Sequence, residues 1–174
     1  LIQKRKLDMT ELNSTYEGGC GCGFVRYKVV SEPLITHCCH CRLCQRQTGS
    51  AFALNALYDS NNVNVLAGTV EQIITPSPSG KGQNITRCPK CRIALWSSYF
   101  IGGIREKIRF VRVGTLDNPD AFPPNVHIFT TTKQPWINLS AEAAVFEAFY
   151  DYEQTWTHEN NNHRKSLLAK SVDE

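Results

Sequence analysis

Cysteine placement limits this chain more than any other feature. Eight cysteines fall in three tight groups: Cys20 and Cys22; Cys38, Cys39, Cys41 and Cys44; and Cys88 and Cys91. Thiols spaced C-x-C or C-x-x-C suit a shared metal ion better than long disulfide cross-links. The first residues, Leu1 to Asp8 with Lys4-Arg5-Lys6, hold no apolar stretch of the kind that opens a secretory leader. A reducing, cytoplasmic setting is therefore expected, with clustered thiols acting as metal ligands or catalytic groups. The even count keeps a disulfide framework as the alternative if a leader has been cut away.

At 174 residues, 41% hydrophobic and 20% charged, the chain has the size of one globular domain and can bury a core without covalent staples. No apolar run reaches the roughly 18–20 residues that span a bilayer. Nineteen Lys and Arg against 16 Asp and Glu leave a formal charge of +3, far from the basic excess of a dedicated nucleic-acid binder. Met9 reads as a native start. Residues 1–15 are accordingly expected to be a tail or cloning remnant, 16–150 the domain and 151–174 a C-terminal extension. The Lys4-Arg5-Lys6 run reads as a solvated terminus rather than a nuclear signal.

Period-two alternation dominates the middle of the chain. Val25, Tyr27 and Val29 share one face of a segment whose other face carries Arg26 and Lys28. Further strands are expected at Ala51 to Tyr58, Val63 to Leu66, Thr69 to Thr75, Asn84 to Arg87, Ile93 to Ser97, Ile108 to Val113 and Val126 to Thr130. They are short, rich in β-branched and aromatic residues, and separated by Gly, Asn, Asp or Pro. This spacing predicts a mainly β fold: a single antiparallel sheet domain rather than βαβ units. Thr75 to Gly82 is a loop by composition. Ser140 is placed to cap a helix on which Val145, Phe146, Phe149 and Tyr150 form an apolar stripe. After Trp156 a second short helix or a frayed tail is expected.

Two of the cysteine pairs form a natural set. Cys20-Gly21-Cys22 precedes a strand, and Cys88-Pro89-Lys90-Cys91 lies between two strands. Together they make the four-thiolate tetrahedron that structural zinc prefers, with Gly18, Gly19, Gly21 and Gly23 letting the backbone wrap closely. The remaining group reads differently. Cys39, Cys41 and Cys44 offer three ligands on one turn, and three protein ligands with one open position is the pattern of catalytic zinc. Alternate residues of an extended segment point opposite ways, so Cys39 and Cys41 can converge while Cys38 and His40 face elsewhere. If Cys38 or His40 closed the shell instead, the site would be inert.

Four motifs occur in order: C-x-C-G-x-V-R-Y (Cys20 to Tyr27), C-H-C-x-x-C-x-R-x-T-G-S (Cys39 to Ser50), C-x-x-C followed by Ala94-Leu95-Trp96, and G-T-L-D (Gly114 to Asp117). The chain thereby resembles the glutathione-dependent formaldehyde-activating enzyme family, also represented by the zinc domain of centromere protein V, over roughly Tyr16 to Tyr150. The resemblance implies two zinc ions per chain: a structural one on Cys20, Cys22, Cys88 and Cys91, and a catalytic one on Cys39, Cys41 and Cys44. It also implies glutathione as cosubstrate and a lyase-type reaction that makes or breaks a carbon–sulfur bond, with formaldehyde or another small electrophile. The chain departs from the family pattern at Arg92, where Gly is usual, at the extra thiol of Cys38, and at Gln45, which precedes Arg46 where paired Arg is common.

Two zinc ions held by seven thiolates would bring the chain from +3 to near neutral, which argues against nucleic acid as a partner. An anionic cosubstrate needs nearby cations; Arg42, Arg46, Lys90 and Arg92 are candidates, and Arg46 is preferred because it precedes the turn Thr48-Gly49-Ser50. Thr48 and Ser50 are read as glutathione contacts, with capping as their alternative role. His127 is the candidate general acid–base, and His37 and His40 are expected beside the zinc turn. His158 and His163 have no assigned role. Trp96 and Trp136 could wall a pocket or pack in a core. The competing reading is a zinc-stabilised binding module for a protein or chromatin partner; a redox role for the vicinal pair Cys38-Cys39 is a third.

Overall fold

A computed structural model describes residues 14–99 and 105–169, so the segment from Leu1 to Met9 lies outside the described residues. Strands β1 (Tyr16–Gly19), β2 (Arg26–Val29) and β3 (Ile35–Cys39) lead into a short helix, α1 (Arg42–Thr48). Six strands follow: β4 (Ala53–Asp59), β5 (Val63–Ala67), β6 (Glu71–Thr75), β7 (Gln83–Arg87), β8 (Ala94–Tyr99) and β9 (Ile108–Arg112). Then come β10 (Val126–Ile128), β11 (Ala144–Val145), and helices α2 (Tyr152–Thr155) and α3 (His158–Ala169). The strands build two sheets. The smaller is ordered β1-β2-β5, the larger β11-β10-β3-β4-β9-β8-β7-β6.

Alternation along β4 and β9 gives the large sheet two apolar faces. Ala56, Tyr58 and Val111 point one way and join Val25, Tyr27 and Val29 of β2 in a core between the sheets. Leu57 and Ile108 point the other way and pack with Ile35, Val126, Ile128, Tyr150, Trp156 and Leu167. The second face is therefore covered by the C-terminal chain, including α3. A helix docked on a sheet hides the apolar side chains of both, each worth roughly 1.5–3 kcal/mol when fully buried.

Mainly β architecture is what the alternation implied, and every expected strand has a counterpart. The pairing is antiparallel from β3 through β9 to β6, but β10 runs parallel to both β3 and β11. The expected helix after Ser140 is not formed. Instead, Ala144 donates to the Asn125 carbonyl and Phe146 to that of His127, at 3.0 and 2.9 Å. The open edge of β10 has carbonyls that need donors, and an extended segment supplies them where a helix would use its own N–H groups internally. The supposed stripe is also not buried as one face, since Val145 and Phe149 remain exposed while Tyr150 enters the core. The polar run after Trp156 does form a helix, α3.

The family motifs lock to one another. Arg26 donates from Nη1 to Asp117 Oδ1 at 2.8 Å and also pairs with Glu17, and the Tyr27 hydroxyl meets Thr115 Oγ1 at 2.7 Å. Arg26 holds the Asp117 carboxyl below the usual carboxylate range. Gly18 is bridged to Leu116, and a Cβ on it would lie 2.5 Å from the Thr115 carbonyl oxygen, so this glycine serves strand contact with the G-T-L-D segment.

Because Leu167 is buried against the sheet, Leu167→Ala should cost about 2–4 kcal/mol in urea denaturation. An unchanged midpoint would show that α3 is a detachable tail.

Candidate metal centres

Two turns bring the first four thiols together. The β1–β2 connection carries Cys20 and Cys22, and the β7–β8 connection carries Cys88 and Cys91; their sulfurs all lie within 4.8 Å of one another. Cys20 Sγ is 3.5 Å from Cys22 Sγ, which is 3.8 Å from Cys88 Sγ. Sulfurs bonded to each other would be about 2.0 Å apart. Four sulfurs at about 2.3 Å from a zinc ion stand about 3.8 Å apart along a tetrahedron's edges, so the donor set fits the ion. The turn backbones also point donors at the sulfurs. Val25 N–H donates to Cys20 Sγ at 3.2 Å, Phe24 N–H to Cys22 and Ile93 N–H to Cys91. Burial works against ionising Cys20, yet the Val25 N–H and the neighbouring Cys22 and Cys88 outweigh it and bring its pKa to about 6.

The second group sits where β3 passes into α1. Cys39 ends the strand, Cys41 caps the helix and Cys44 lies in its first turn, with the three sulfurs within 4.8 Å of one another. Cys44 N–H donates to Cys41 Sγ at 3.4 Å. Side-chain hydrogen bonds from Cys39 and Cys44 lower the Cys41 thiol against its burial, and the Cys44 and Leu43 N–H groups add to them. Cys39, as a donor to Cys41, is pushed far up. Among the described residues this group has three members, and neither Cys38 nor His40 closes it.

Those two residues face away and meet His127. Cys38 Sγ lies 3.5 Å from His40 Nε2, which lies 3.0 Å from His127 Nδ1, and all three residues are buried. The parallel register pairs His127 with Cys38 and Ile128 with Cys39, so His127 stands on the Cys38 side of the sheet and not with the trio. Burial brings His40 down to about 4 and lowers His127 as well. His37 instead meets the Tyr150 hydroxyl inside an aromatic block that includes Phe110 and Phe149. Trp96 is core, whereas Trp136 is 68% exposed.

A cavity of about 590 Å³ adjoins the trio, lined by Gln47, Thr48, Phe52, Arg87, Arg92 and Arg112 among others. The trio's sulfurs do not line it; the link is Ala53, which also lines the cavity and pairs with Cys39, and Arg112, whose charge acts on Cys44. Of the residues expected to receive a cosubstrate, only Thr48 and Arg92 reach this space. Arg46 is exposed on the last turn of α1, and Ser50 is exposed on the following turn. Arg42 donates to Gln45 Oε1, and Lys90 lies over the Phe24 ring. Thr48 also caps: its hydroxyl donates to the Cys44 carbonyl at 2.8 Å.

Three residues here were not read as site residues from the sequence. Arg112 is buried, donating to Asn55 Oδ1 at 2.7 Å and Ser97 Oγ at 3.4 Å. The signal for it was present: a charged residue on the otherwise apolar Ile108-Phe110 face of β9. Arg87 gave none, since it looks like an ordinary strand end. Gln45 is a hub. Its amide nitrogen donates to the His40 and Thr132 carbonyls, and its oxygen accepts from Gln134, fixing α1 to the chain beyond β10.

The cysteine pattern, its two thiol groups and the β architecture correspond to a described protein family. The family model "Glutathione-dependent formaldehyde-activating enzyme" matches residues 15–132. The chain belongs to this family. A Halomonas elongata protein named "Putative glutathione-dependent formaldehyde-activating enzyme" is 28% identical over 130 residues, which is 72% of this chain and 81% of that protein. A crystal structure of a Rhodobacter sphaeroides protein, a structural genomics target, is similar with a TM-score of 0.42 and 19% identity, covering 58% of this chain and 87% of that one. Among the described residues, no helix is long and apolar enough to cross a membrane.

Arg92 adopts φ 64°, in the left-handed region that favours glycine. That conformation costs a side-chain-bearing residue roughly 1–2 kcal/mol. Its side chain pairs with Glu71, an exposed contact worth at most about 1 kcal/mol. Arg92→Gly should therefore raise the melting temperature by about 2–4 °C in calorimetry, and Glu71→Gln alone should not; a lower melting temperature would mean that the ion pair outweighs the strain.

Proposed function

We propose that the protein is a zinc-dependent carbon–sulfur lyase or synthase that forms or cleaves a glutathione adduct of formaldehyde or another small electrophile. The observation that carries this reading is a three-thiol group, without a fourth ligand among the described residues, beside an arginine-lined cavity. In the synthetic direction the thiol sulfur bonds to the aldehyde carbon and the thiol proton ends on the aldehyde oxygen. The lyase direction breaks the same bond and returns the proton to sulfur. Cys39, Cys41 and Cys44 would hold the reactive zinc, and Cys20, Cys22, Cys88 and Cys91 a structural one. Zinc held there would supply the positive charge that lowers the pKa of an added thiol toward neutral pH.

The chain's own residues then do the positioning. Glutathione carries two carboxylates, and Arg87, Arg92 and Arg112 are among the residues that line the cavity. Arg87 and Arg112 have no carboxylate partner among the described residues, and Arg87 Nε and Gln47 Oε1 are buried without a protein partner. A carboxylate suits the arginine donors and a peptide N–H suits the Gln47 oxygen. Thr48 would add a hydroxyl at the cavity wall. Arg46 and Ser50, exposed and outside the cavity, would serve only a cosubstrate extending over the end of α1. Clustered thiols that serve as metal ligands suit a reducing compartment, which we take to be the cytoplasm.

Exchange between free formaldehyde and its glutathione adduct can be followed by NMR against the uncatalysed background. The wild-type protein should accelerate it, and Cys41→Ser should return it to the buffer rate while the zinc on Cys20, Cys22, Cys88 and Cys91 is kept. Arg87→Ala should raise KM for glutathione by roughly 10–100-fold with a smaller change in kcat, as expected for a lost charged hydrogen bond of about 1.5–3 kcal/mol. A wild-type rate equal to buffer, for formaldehyde and for a panel of glutathione conjugates alike, would leave a zinc-stabilised binding module as the function.

A further inference from the structure

We propose that Cys38, His40 and His127 form a third metal site, one that takes a thiophilic divalent ion through one thiolate and two imidazoles. This rests on their own geometry and stands apart from the reading of the trio. Cys38 immediately precedes the C-H-C-x-x-C motif that begins at Cys39, and the trio does not use it.

The distances suit an ion. Cys38 Sγ to His40 Nε2 is 3.5 Å, His40 Nε2 to His127 Nδ1 is 3.0 Å, and the three atoms lie within 4.8 Å of one another. A tetrahedral zinc with nitrogens at about 2.0–2.1 Å and sulfur at about 2.3 Å spaces N and N roughly 3.3 Å apart and N and S roughly 3.6 Å apart. Hydrogen bonding alone serves the cluster poorly. His40 Nε2 carries either one proton or one lone pair, yet two neighbouring atoms stand within bonding reach of it. Whichever way the proton is placed, one of the two neighbours gains nothing from Nε2. An ion at the centre engages three lone pairs at once. The tautomers it requires put protons on His40 Nδ1 and His127 Nε2, the two ring nitrogens that point out of the cluster and have no protein partner.

The backbone sets this convergence. The parallel pairing places His127 beside Cys38, and His40 N–H donates to the Ile128 carbonyl at 3.0 Å, fixing the residue beyond the strand end. All three side chains are buried, so water competes weakly for the ion. Charge favours joint occupancy with the trio. A divalent ion on one thiolate and two neutral imidazoles leaves a net +1, while the same ion on three thiolates leaves −1. The two sites lie on opposite sides of β3 within a few residues, and opposite charges this close attract across a low-dielectric interior.

Cadmium NMR on the cadmium-loaded full chain tests the proposal. Wild-type protein should give three resonances, the third well upfield of the two thiolate-only sites because nitrogen shields cadmium more than sulfur does. Cys38→Ala should remove that resonance alone and lower metal content from three to two per chain, and His127→Phe should do the same. Cys41→Ser should remove a different resonance, which separates failure here from failure of the trio reading. A wild-type spectrum without the upfield resonance, or an unchanged one in Cys38→Ala, would overturn the site and leave a hydrogen-bonded Cys-His-His cluster. Should either variant not fold, the wild-type spectrum decides by itself.

Discussion

The convergence of two turns from different sheets holds the molecule in register. Cys20 and Cys22 belong to the small sheet and Cys88 and Cys91 to the large one, and their sulfurs meet at ligand spacing. Cys20 and Cys88 belong to the same buried cluster as Val25, Tyr27 and Val29, so this contact is continuous with the core between the sheets. The amide groups of both turns point at sulfur, which favours the charged thiolate over the thiol. Bringing four sulfurs this close without a bond between them is costly unless a cation takes up their charge. In small metal-binding domains such binding energy is folding energy.

Strand alternation then separates chemistry on the two sides of β3. Ile35, His37 and Cys39 face the helical side of the large sheet, while Thr36 and Cys38 face the other. Cys39 so joins the thiols of α1, and Cys38 meets the two imidazoles. One residue of register exchanges the two sets completely, which is why the pairing of β3 with β4 and β10 matters more to the site than the helix itself. Gln45 completes the arrangement by tying α1 to the chain after β10.

Arg92 records a local compromise. It occupies backbone space that suits glycine, next to a metal-ligating turn, and its side chain reaches the cavity beside Arg87 and Arg112. Strain of this kind persists where the surrounding structure holds it, and it clusters at functional sites. The arginine-rich cavity and the strained turn thus belong to one region.

The strand pattern, the four-plus-three division of cysteines and the mainly β class were legible in the residues because spacing along a chain is itself local geometry. Period two sets a face, and C-x-C or C-x-x-C sets a turn. Three features were not legible. Apolar residues at 145, 146, 149 and 150 have helical spacing, but the unpaired carbonyls of β10 recruited this segment as a strand edge. Arg46 neighbours the motif in sequence, yet the cavity is lined by Arg87 and Arg112, which arrive from β7 and β9. His127 was legible as a candidate acid–base, but not that parallel pairing would set it against Cys38 and His40. Which residues could ligate was determined by the sequence alone; which of them share a face, a cavity or an ion was decided by tertiary structure, because strand order and direction bring together side chains that no local spacing relates.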